Sequence, residues 1–168
     1  MTIIGIDPGI MGGIAAISGK KIVELQKIPK GHDPERINAI FRNIKAVSKT
    51  DAVIAVVEKP IIKPHFIVRK CPHCRRLIRV GVPQQGILTS ISNYGMLLGL
   101  LASNGIKYVE VPSSTWKKQL SLSSDKQKSL DLAKKLYPKC ADIIKYKNQE
   151  GMAEALLIAH YFLTKEEK

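Results

Sequence analysis

The sequence predicts an α/β protein built on a five-stranded mixed sheet that is flanked by helices. Three short apolar runs near the N-terminus are joined by tight turns, which is typical of an antiparallel meander. A later apolar run, residues 52–57, lacks polar alternation, as expected of a strand buried on both faces. Apolar residues at helical spacing follow each of these regions. We therefore expect three antiparallel strands first and parallel strands after them.

The meander covers residues 2–7, 14–18 and 22–28, and its first strand ends in an acid, Asp7. Pro8-Gly9 follow at once and force a turn. Aspartate is common in turns, so one interpretation is that Asp7 only helps to form this turn. The Pro-Gly pair, however, already supplies the turn residues without an acid.

A helix is predicted to begin at Asp33, because an N-cap aspartate, a proline at the first position and an acid in the first turn coincide there. Its apolar face is formed by Ile37, Ile40, Phe41, Ile44 and Val47. The strand of residues 52–57 comes next and is followed by Glu58. Two strands that each end in an acid, in a βββαβ order, indicate an active site at one edge of the sheet.

A basic, proline-containing insert at about residues 61–82 interrupts this pattern. It contains Cys71-Pro72-His73-Cys74, which resembles half of a zinc ribbon. A structural zinc site needs four ligands, so the others would come from Cys140 with His65 or His73, or from a second chain. Two plain thiols in a basic loop are the alternative, and both interpretations stay open.

The chain after the insert is predicted to form a helix over residues 87–103 and a fifth strand over residues 107–111. Three glycines, at positions 86, 95 and 99, indicate close packing of this helix against another element.

Two further predicted helices each carry a lysine near their start. Lys117 belongs to a short helix after Pro112, and Lys126 to a helix that a capping box at Ser124 opens and that ends at Tyr137. A cation near a helix start opposes the helix dipole, so each lysine either contacts phosphate or is simply solvated.

The last helix carries Glu150 and Glu154, four residues apart and therefore on one face. Met152, Leu156 and Ala159 form an apolar face beside them, so Glu154 at least is expected in surroundings of low polarity. A divalent metal would supply the counter-charge that a carboxylate needs there. The alternative is two solvated acids at the positive end of the helix dipole.

Composition narrows the class of protein. The chain has 168 residues, which fits one domain over 1–168, and a net charge of +13 that favours a polyanionic partner such as nucleic acid. No apolar run is long enough to span a bilayer, and the N-terminus lacks a signal-type pattern. Three cysteines argue against a disulfide framework and for a reducing cytoplasm.

Five blocks of the sequence, taken in order, resemble the RuvC-like Holliday-junction resolvases, and most closely their phage and organellar branch. The blocks are Gly5-Ile6-Asp7-Pro8-Gly9, Val57-Glu58-Lys59-Pro60, Gln85-Gly86, Val111-Pro112 with Trp116-Lys117, and the segment from Gly151 to Ala159. The resemblance implies a ribonuclease-H-like fold, a homodimer, and Mg²⁺- or Mn²⁺-dependent nicking of two symmetry-related strands of a four-way DNA junction. A cytoplasmic setting in a bacterium or a phage-infected host would follow.

The resemblance also implies roles for single residues. Four acids would be the catalytic ligands of two metal ions: Asp7, Glu58, Glu150 and Glu154. Lys117 resembles a catalytic basic residue near the scissile phosphate, and Lys126 resembles a second one more loosely. We expect DNA contacts from Lys117, Lys118, Lys126, Arg75 and Arg76. The family often has Asp in its last acidic pair, where this chain has Glu, and Glu150 is the least secure of the four.

Two other functions stay open at this stage. One is a non-catalytic junction- or nucleic-acid-binding protein on the same fold. The other is an actin-like phosphotransferase, which the short chain disfavours because it leaves no room for a second lobe.

Overall fold

The computed structural model describes residues 1–48, 52–60, 66–81, 84–123 and 125–166. These residues form seven strands: β1 (Thr2–Asp7), β2 (Gly13–Ser18), β3 (Lys21–Lys27), β4 (Val53–Lys59), β5 (Phe66–Lys70), β6 (Leu77–Gly81) and β7 (Lys107–Pro112). They also form five α-helices: α1 (Pro34–Val47), α2 (Gln84–Ser103), α3 (Ser113–Gln119), α4 (Lys126–Leu136) and α5 (Glu150–Glu166). Short 3-10 turns occur at Lys30–His32, Pro138–Asp142 and Lys147–Gln149.

The main sheet confirms the predicted five-stranded mixed arrangement. Its strand order is β3-β2-β1-β4-β7. Strands β1, β2 and β3 pair antiparallel, whereas β1 with β4 and β4 with β7 pair parallel. Ile6 of β1 lies opposite Val57 of β4, so the next residues, Asp7 and Glu58, reach the same edge of the sheet.

A hydrophobic core lies on each face of this sheet. Ile3 belongs to the core that α4 and α5 complete, whereas its neighbour Ile4 belongs to the core that α1 and α2 complete. This alternation follows from the two-residue period of a strand. The apolar face of α1 is buried as predicted, except for Val47, which is 51% exposed at the end of the helix.

Helix ends follow their capping residues. Asp33 caps α1 by accepting hydrogen bonds from the backbone N–H groups of Glu35 and Arg36. Asp125 caps α4 by accepting from the backbone of Gln127. The predicted capping residue Ser124 lies outside the described residues. Tyr137 is the C-cap of α4, in agreement with the predicted end.

The described part of the insert, residues 66–81, forms a β-hairpin, which the sequence did not predict. Strands β5 and β6 pair antiparallel as a separate two-stranded sheet, with Cys71 to Arg76 at the turn. The two strands pack mainly on each other rather than on the rest of the described chain. The hairpin therefore extends from the body between the end of β4 and the start of α2.

Helix α2 leaves one face open. A Cβ at Gly95 or Gly99 would meet no atom of the described residues within 4 Å, so the prediction that these glycines pack closely is wrong for the described part of the chain. The surroundings of Gly86 lie outside the described residues. Leu88 and Ile91 on the same side are 55% and 39% exposed. No helix among the described residues is long and apolar enough to cross a membrane.

Candidate functional site

Helix α5 lies directly against the backbone of β1 and β2. A Cβ at Gly5 would collide with the backbone carbonyl oxygen of Ala155, and a Cβ at Gly13 would lie only 2.6 Å from the carbonyl oxygen of Gly151. A Cβ at Gly151 would in turn collide with the backbone of Met11. Glycine is needed at these positions because backbone meets backbone. The close approach brings the first turn of α5 over the end of β1.

The first turn of α5 places its acids beside Asp7. A pocket of about 280 Å³ is lined by Asp7, Glu150, Glu154 and Lys126, together with the turn after β1. Glu58 reaches the same edge from β4, and the charge of Asp7 acts on it. The structure thus brings the four predicted acids to one edge of the sheet. Glu150 is included, because Gly151 serves close packing and does not turn the backbone away.

Burial raises the pKa of Asp7 to about 6, and the negative charges of Glu154 and Glu150 add to the rise. The backbone N–H of Gly9 opposes this by donating a hydrogen bond to Asp7 Oδ1 over 3.0 Å. Lys117 also lowers the pKa, though less. Asp7 is therefore an acid that gains strongly from any added positive charge.

Burial likewise raises the pKa of Glu58 to about 7, with the charge of Asp7 as the next cause. Trp116 opposes this rise, because its indole Nε1–H donates to Glu58 Oε2 over 2.8 Å. Trp116 is completely buried, so this hydrogen bond fixes the position of the carboxylate. Two acids with raised pKa values on adjacent strands are typical of a functional site.

The two glutamates of α5 are each paired with a predicted lysine. Lys117 Nζ lies 2.8 Å from Glu154 Oε1, and Ser129 Oγ donates to the same oxygen over 3.2 Å. Lys126 donates to Glu150 Oε1, and this hydrogen bond raises the pKa of the lysine. Both glutamates are largely buried, with side-chain exposures of 14% and 17%.

The acids of this edge do not form a complete metal site in the metal-free chain that is described. Within the described ranges, no three Asp, Glu, His or Cys side chains form a ready-made metal cage. One oxygen of Glu150 and one of Glu154 are instead paired with lysines. The donor set itself is all carboxylate oxygen, which is the type that hard divalent cations prefer.

Three residues of the site were missed from the sequence. Trp116 positions Glu58, Ser129 supports Glu154, and buried His32 places Nε2 3.2 Å from the carbonyl oxygen of Pro8 in the turn after Asp7. A signal existed for Ser129, which lies three residues after Lys126 and so on the same side of α4. A signal for Trp116 was its place beside Lys117. His32 had no such signal.

The remaining predicted residues lie apart from the acids. Lys118 is exposed on α3, and Arg75 and Arg76 are exposed in the hairpin turn. Cys71 and Cys74 lie in that same turn. The suggestion that Cys140 joins them is wrong, because Cys140 is buried in the core beneath α4 and α5.

A groove continues from the acidic pocket across the sheet edge. It has a volume of about 1000 Å³ and shares Ile10, Met11 and Gly12 with the pocket. Ile10 is 82% exposed at the junction of the two. The far wall carries basic side chains, namely Lys27, Lys30 and Arg36. Acids and a basic, open groove therefore adjoin each other.

Comparison with solved structures settles the fold. The structure of Thermus thermophilus RuvC in complex with Holliday junction substrate matches with a TM-score of 0.63 over 99% of this chain and 96% of that one. The chain has the RuvC fold. A second structure of Thermus thermophilus RuvC matches with a TM-score of 0.58 over 99% and 97% of the two chains. The sequence identity is 15% in both cases, so the likeness to RuvC is one of fold.

Comparison of sequences adds a shorter match. The chloroplastic Holliday junction resolvase MOC1 of Chlamydomonas reinhardtii is 40% identical to this chain over 77 residues. Those residues are 45% of this chain but only 9% of that protein, so the match spans less than a tenth of its length. No protein-family profile matches the chain.

Proposed function

We propose that this chain is a metal-dependent endonuclease that resolves four-way DNA junctions by paired, symmetric nicks. The observation that carries the proposal is the meeting of four carboxylates at one sheet edge, with two lysines on top of them. The RuvC fold and the 77-residue match to a junction resolvase support the same activity. The net charge of +13 fits a DNA substrate.

The donor set fits Mg²⁺ or Mn²⁺. Asp7 and Glu58 are costly to ionise where they lie, and divalent cations would relieve that cost. Glu150 and Glu154 would complete the ligands once they turn away from their lysines. Two such ions would neutralise the scissile phosphate and activate a water molecule.

The lysines then acquire a second role. Lys117 and Lys126 neutralise Glu154 and Glu150 in the metal-free chain. If the carboxylates turned to a cation, both ammonium groups would be released from them and could contact a phosphate. Lys117 is held for this purpose, because its Nζ lies 5.0 Å from the centre of the Trp116 ring. We infer that these lysines stabilise the phosphate charge in the transition state.

The DNA surface would extend from the acids in two directions. The groove lined by Lys27, Lys30 and Arg36 would hold one arm through its phosphates. The basic hairpin, with Arg75 and Arg76 exposed at its turn, would contact another part of a branched substrate. Lys118 on α3 would add a further phosphate contact. Binding of this type is strongly salt-dependent.

Two nicks related by symmetry require two active sites, so we propose a homodimer. We propose the open face of α2 as the surface that would contact the second copy. Its exposed residues Leu88, Ile91, Gly95 and Gly99 recur on one side, and the two glycines would let the backbones of two helices approach closely.

A non-catalytic junction-binding protein remains the second candidate, and the lysine-paired state of both glutamates favours it. The two candidates separate in one experiment. Labelled four-way junction and matched linear duplex are incubated with the protein, with and without Mg²⁺. We expect preferential binding of the junction under both conditions and paired nicks only with Mg²⁺. Binding of the junction without cleavage at any divalent cation concentration would favour the non-catalytic junction-binding protein. Equal affinity for both DNAs would reject a junction-specific function.

A further inference from the structure

The turn of the basic hairpin places Cys71 and Cys74 in a loop that two backbone hydrogen bonds close. The N–H of Cys71 donates to the carbonyl oxygen of Arg76 over 2.7 Å, and the N–H of Arg75 donates to the carbonyl oxygen of Cys71 over 2.9 Å. These bonds close a tight turn around Pro72 and His73. Arg75 takes a φ of +55°, a left-handed conformation that is uncommon for a residue with a side chain.

The turn directs hydrogen-bond donors at one sulfur. The backbone N–H groups of Cys74 and His73 both hydrogen-bond to the Cys71 sulfur, and the Cys74 side chain contacts it as well. A metal ion would bind both sulfurs as thiolates. The left-handed Arg75 lets the chain reverse directly after Cys74. The backbone strain at Arg75 thus coincides with a pair of adjacent, accessible sulfurs.

The described chain offers this pair no further ligands. Cys140 is buried in the core on the other side of the sheet from α2, and no group of three possible ligands occurs in the part of the chain that is described. His73 lies within the same turn, but its ring does not form a group of three candidate ligands with the two sulfurs in the described chain. His65, which the sequence also suggested, lies outside the described residues. A tetrahedral zinc site needs four ligands, so two sulfurs are half of one.

We propose that the Cys71–Cys74 turns of two chains together bind one Zn²⁺, so that four thiolates close a structural site across the dimer. This inference rests on the homodimer proposed above. The four thiols release their protons as the metal binds, and no other reactant is needed. A site closed by four sulfurs has no open position, so its role is structural and separate from the cleavage of DNA.

The position of the hairpin supports a shared site. Strand β6 ends at Gly81 and α2 begins at Gln84, so the hairpin leads almost directly into the helix whose open face fits a second copy. A two-fold axis that runs parallel to α2 would place the starts of the two helices, and the hairpins that lead into them, on the same side. Leu77 and Val68 of the hairpin are 71% and 56% exposed in the single chain and are available for that contact.

Charge explains why the hairpins would need such a link. Each carries five basic residues and no acid, so two hairpins side by side repel each other. The basic residues are Arg69, Lys70, Arg75, Arg76 and Arg79. One Zn²⁺ with four thiolates has a net charge of −2 and would offset part of this repulsion. Both basic surfaces would then be held together for a branched, polyanionic substrate.

The test is the metal content of the full-length protein purified without chelators. We expect about one zinc per two chains and an absorption spectrum typical of four thiolates after Co²⁺ replaces zinc. Cys71→Ser and Cys74→Ser should each lose the metal. Cys140→Ala should keep it, because that cysteine lies in the core. The thermal unfolding of each variant separates metal loss from failure to fold.

Two results would overturn the shared site. Absence of zinc in a folded dimer rejects the metal, and one zinc per chain rejects the sharing. The outcome is independent of catalysis: a chain that cuts junctions but holds no zinc refutes only this inference. A chain that holds half a zinc but cuts no DNA refutes only the proposed nuclease.

Discussion

The edge of the sheet beneath α5, where the four acids meet, differs from the β5–β6 hairpin in both packing and charge. We call this edge the α5 edge. At the α5 edge, glycines let backbone lie against backbone, and acids are held in surroundings that raise the pKa values of Asp7 and Glu58. The hairpin packs mainly on itself, carries only positive charge and exposes Leu77 and Val68. The α5 edge therefore holds buried negative charge in fixed positions, whereas the hairpin exposes positive charge outside the main core.

The difference shows how a strongly basic protein can keep an acidic site. The acids are stabilised locally by Lys117, Lys126, Trp116 and Ser129, and not by the overall charge. Substitutions at the α5 edge should therefore alter folding and chemistry, whereas substitutions on the hairpin should alter DNA binding.

Gly5→Ala should have the largest effect on stability. The added methyl group collides with the backbone of Ala155, which cannot move without displacing α5. We expect a loss of about 3 kcal/mol or more in the free energy of unfolding, measured with denaturant. Gly81→Ala at the end of the hairpin is the control, because a Cβ there meets no described atom within 4 Å, and it should change stability by about 0.5 kcal/mol at most. Equal losses in both variants would contradict the close packing of α5.

The pH dependence of stability should be unusual in Mg²⁺-free buffer. Asp7 and Glu58 ionise at pKa values of about 6 and about 7 in the folded state, against 3.8 and 4.5 ordinarily. Between pH 4 and 7 the folded state binds more protons than the unfolded state, so these acids make the protein less stable as the pH rises. The double variant Asp7→Asn, Glu58→Gln should gain stability over the parent by a few kcal/mol across this window. If the difference in the free energy of unfolding between this variant and the parent does not grow with pH, the fold does not raise the pKa values of the two acids.

Lys117→Met should separate metal binding from cleavage. The lysine competes with cations for Glu154, so its removal should tighten Mg²⁺ binding about fivefold, equivalent to roughly 1 kcal/mol. Cleavage at saturating Mg²⁺ should nevertheless fall, because the phosphate loses its cation. Mg²⁺ titration followed by thermal unfolding measures the first effect, and cleavage of a labelled junction measures the second. Weaker Mg²⁺ binding in this variant would contradict the idea that Lys117 and Mg²⁺ compete for the Glu154 carboxylate.

Arg76→Ala should have the smallest effect and should leave cleavage chemistry intact. Loss of one phosphate contact is expected to reduce the slope of log affinity against log salt by about 1. Lys139→Ala is the matched control, because Lys139 lies beside the outer strand β3, at the edge of the sheet away from β4. If both variants give the same slope as the parent protein, the hairpin does not bind DNA.

Much of the α5 edge could be predicted from the sequence, because its signals are local. An apolar strand that ends in Asp7, another that ends in Glu58, and two acids four residues apart on a helix each follow from short-range patterns. Parallel pairing of the two strands then fixes the shared edge. The glycines that allow α5 to approach lie far apart in the chain, so only the folded structure assigns them their partners.

The hairpin could not be predicted, because its prolines and charges hide a short alternating pattern that no buried face enforces. The open face of α2 was misread for a related reason, since a glycine in a helix indicates close packing without naming the partner. The lysine–glutamate pairs depend on side-chain conformations, which sequence spacing does not determine. Local patterns therefore located the acids but not their present contacts.

The most direct test of the nuclease compares Asp7→Asn with the parent protein on the same four-way junction. The amide keeps the shape of the carboxylate but cannot supply its charge to a metal ion. We predict that cleavage with Mg²⁺ falls by about a thousandfold or more, while junction affinity without metal changes by only a few-fold. Cleavage by Asp7→Asn at a rate near that of the parent protein would contradict the assignment of this edge as the active site.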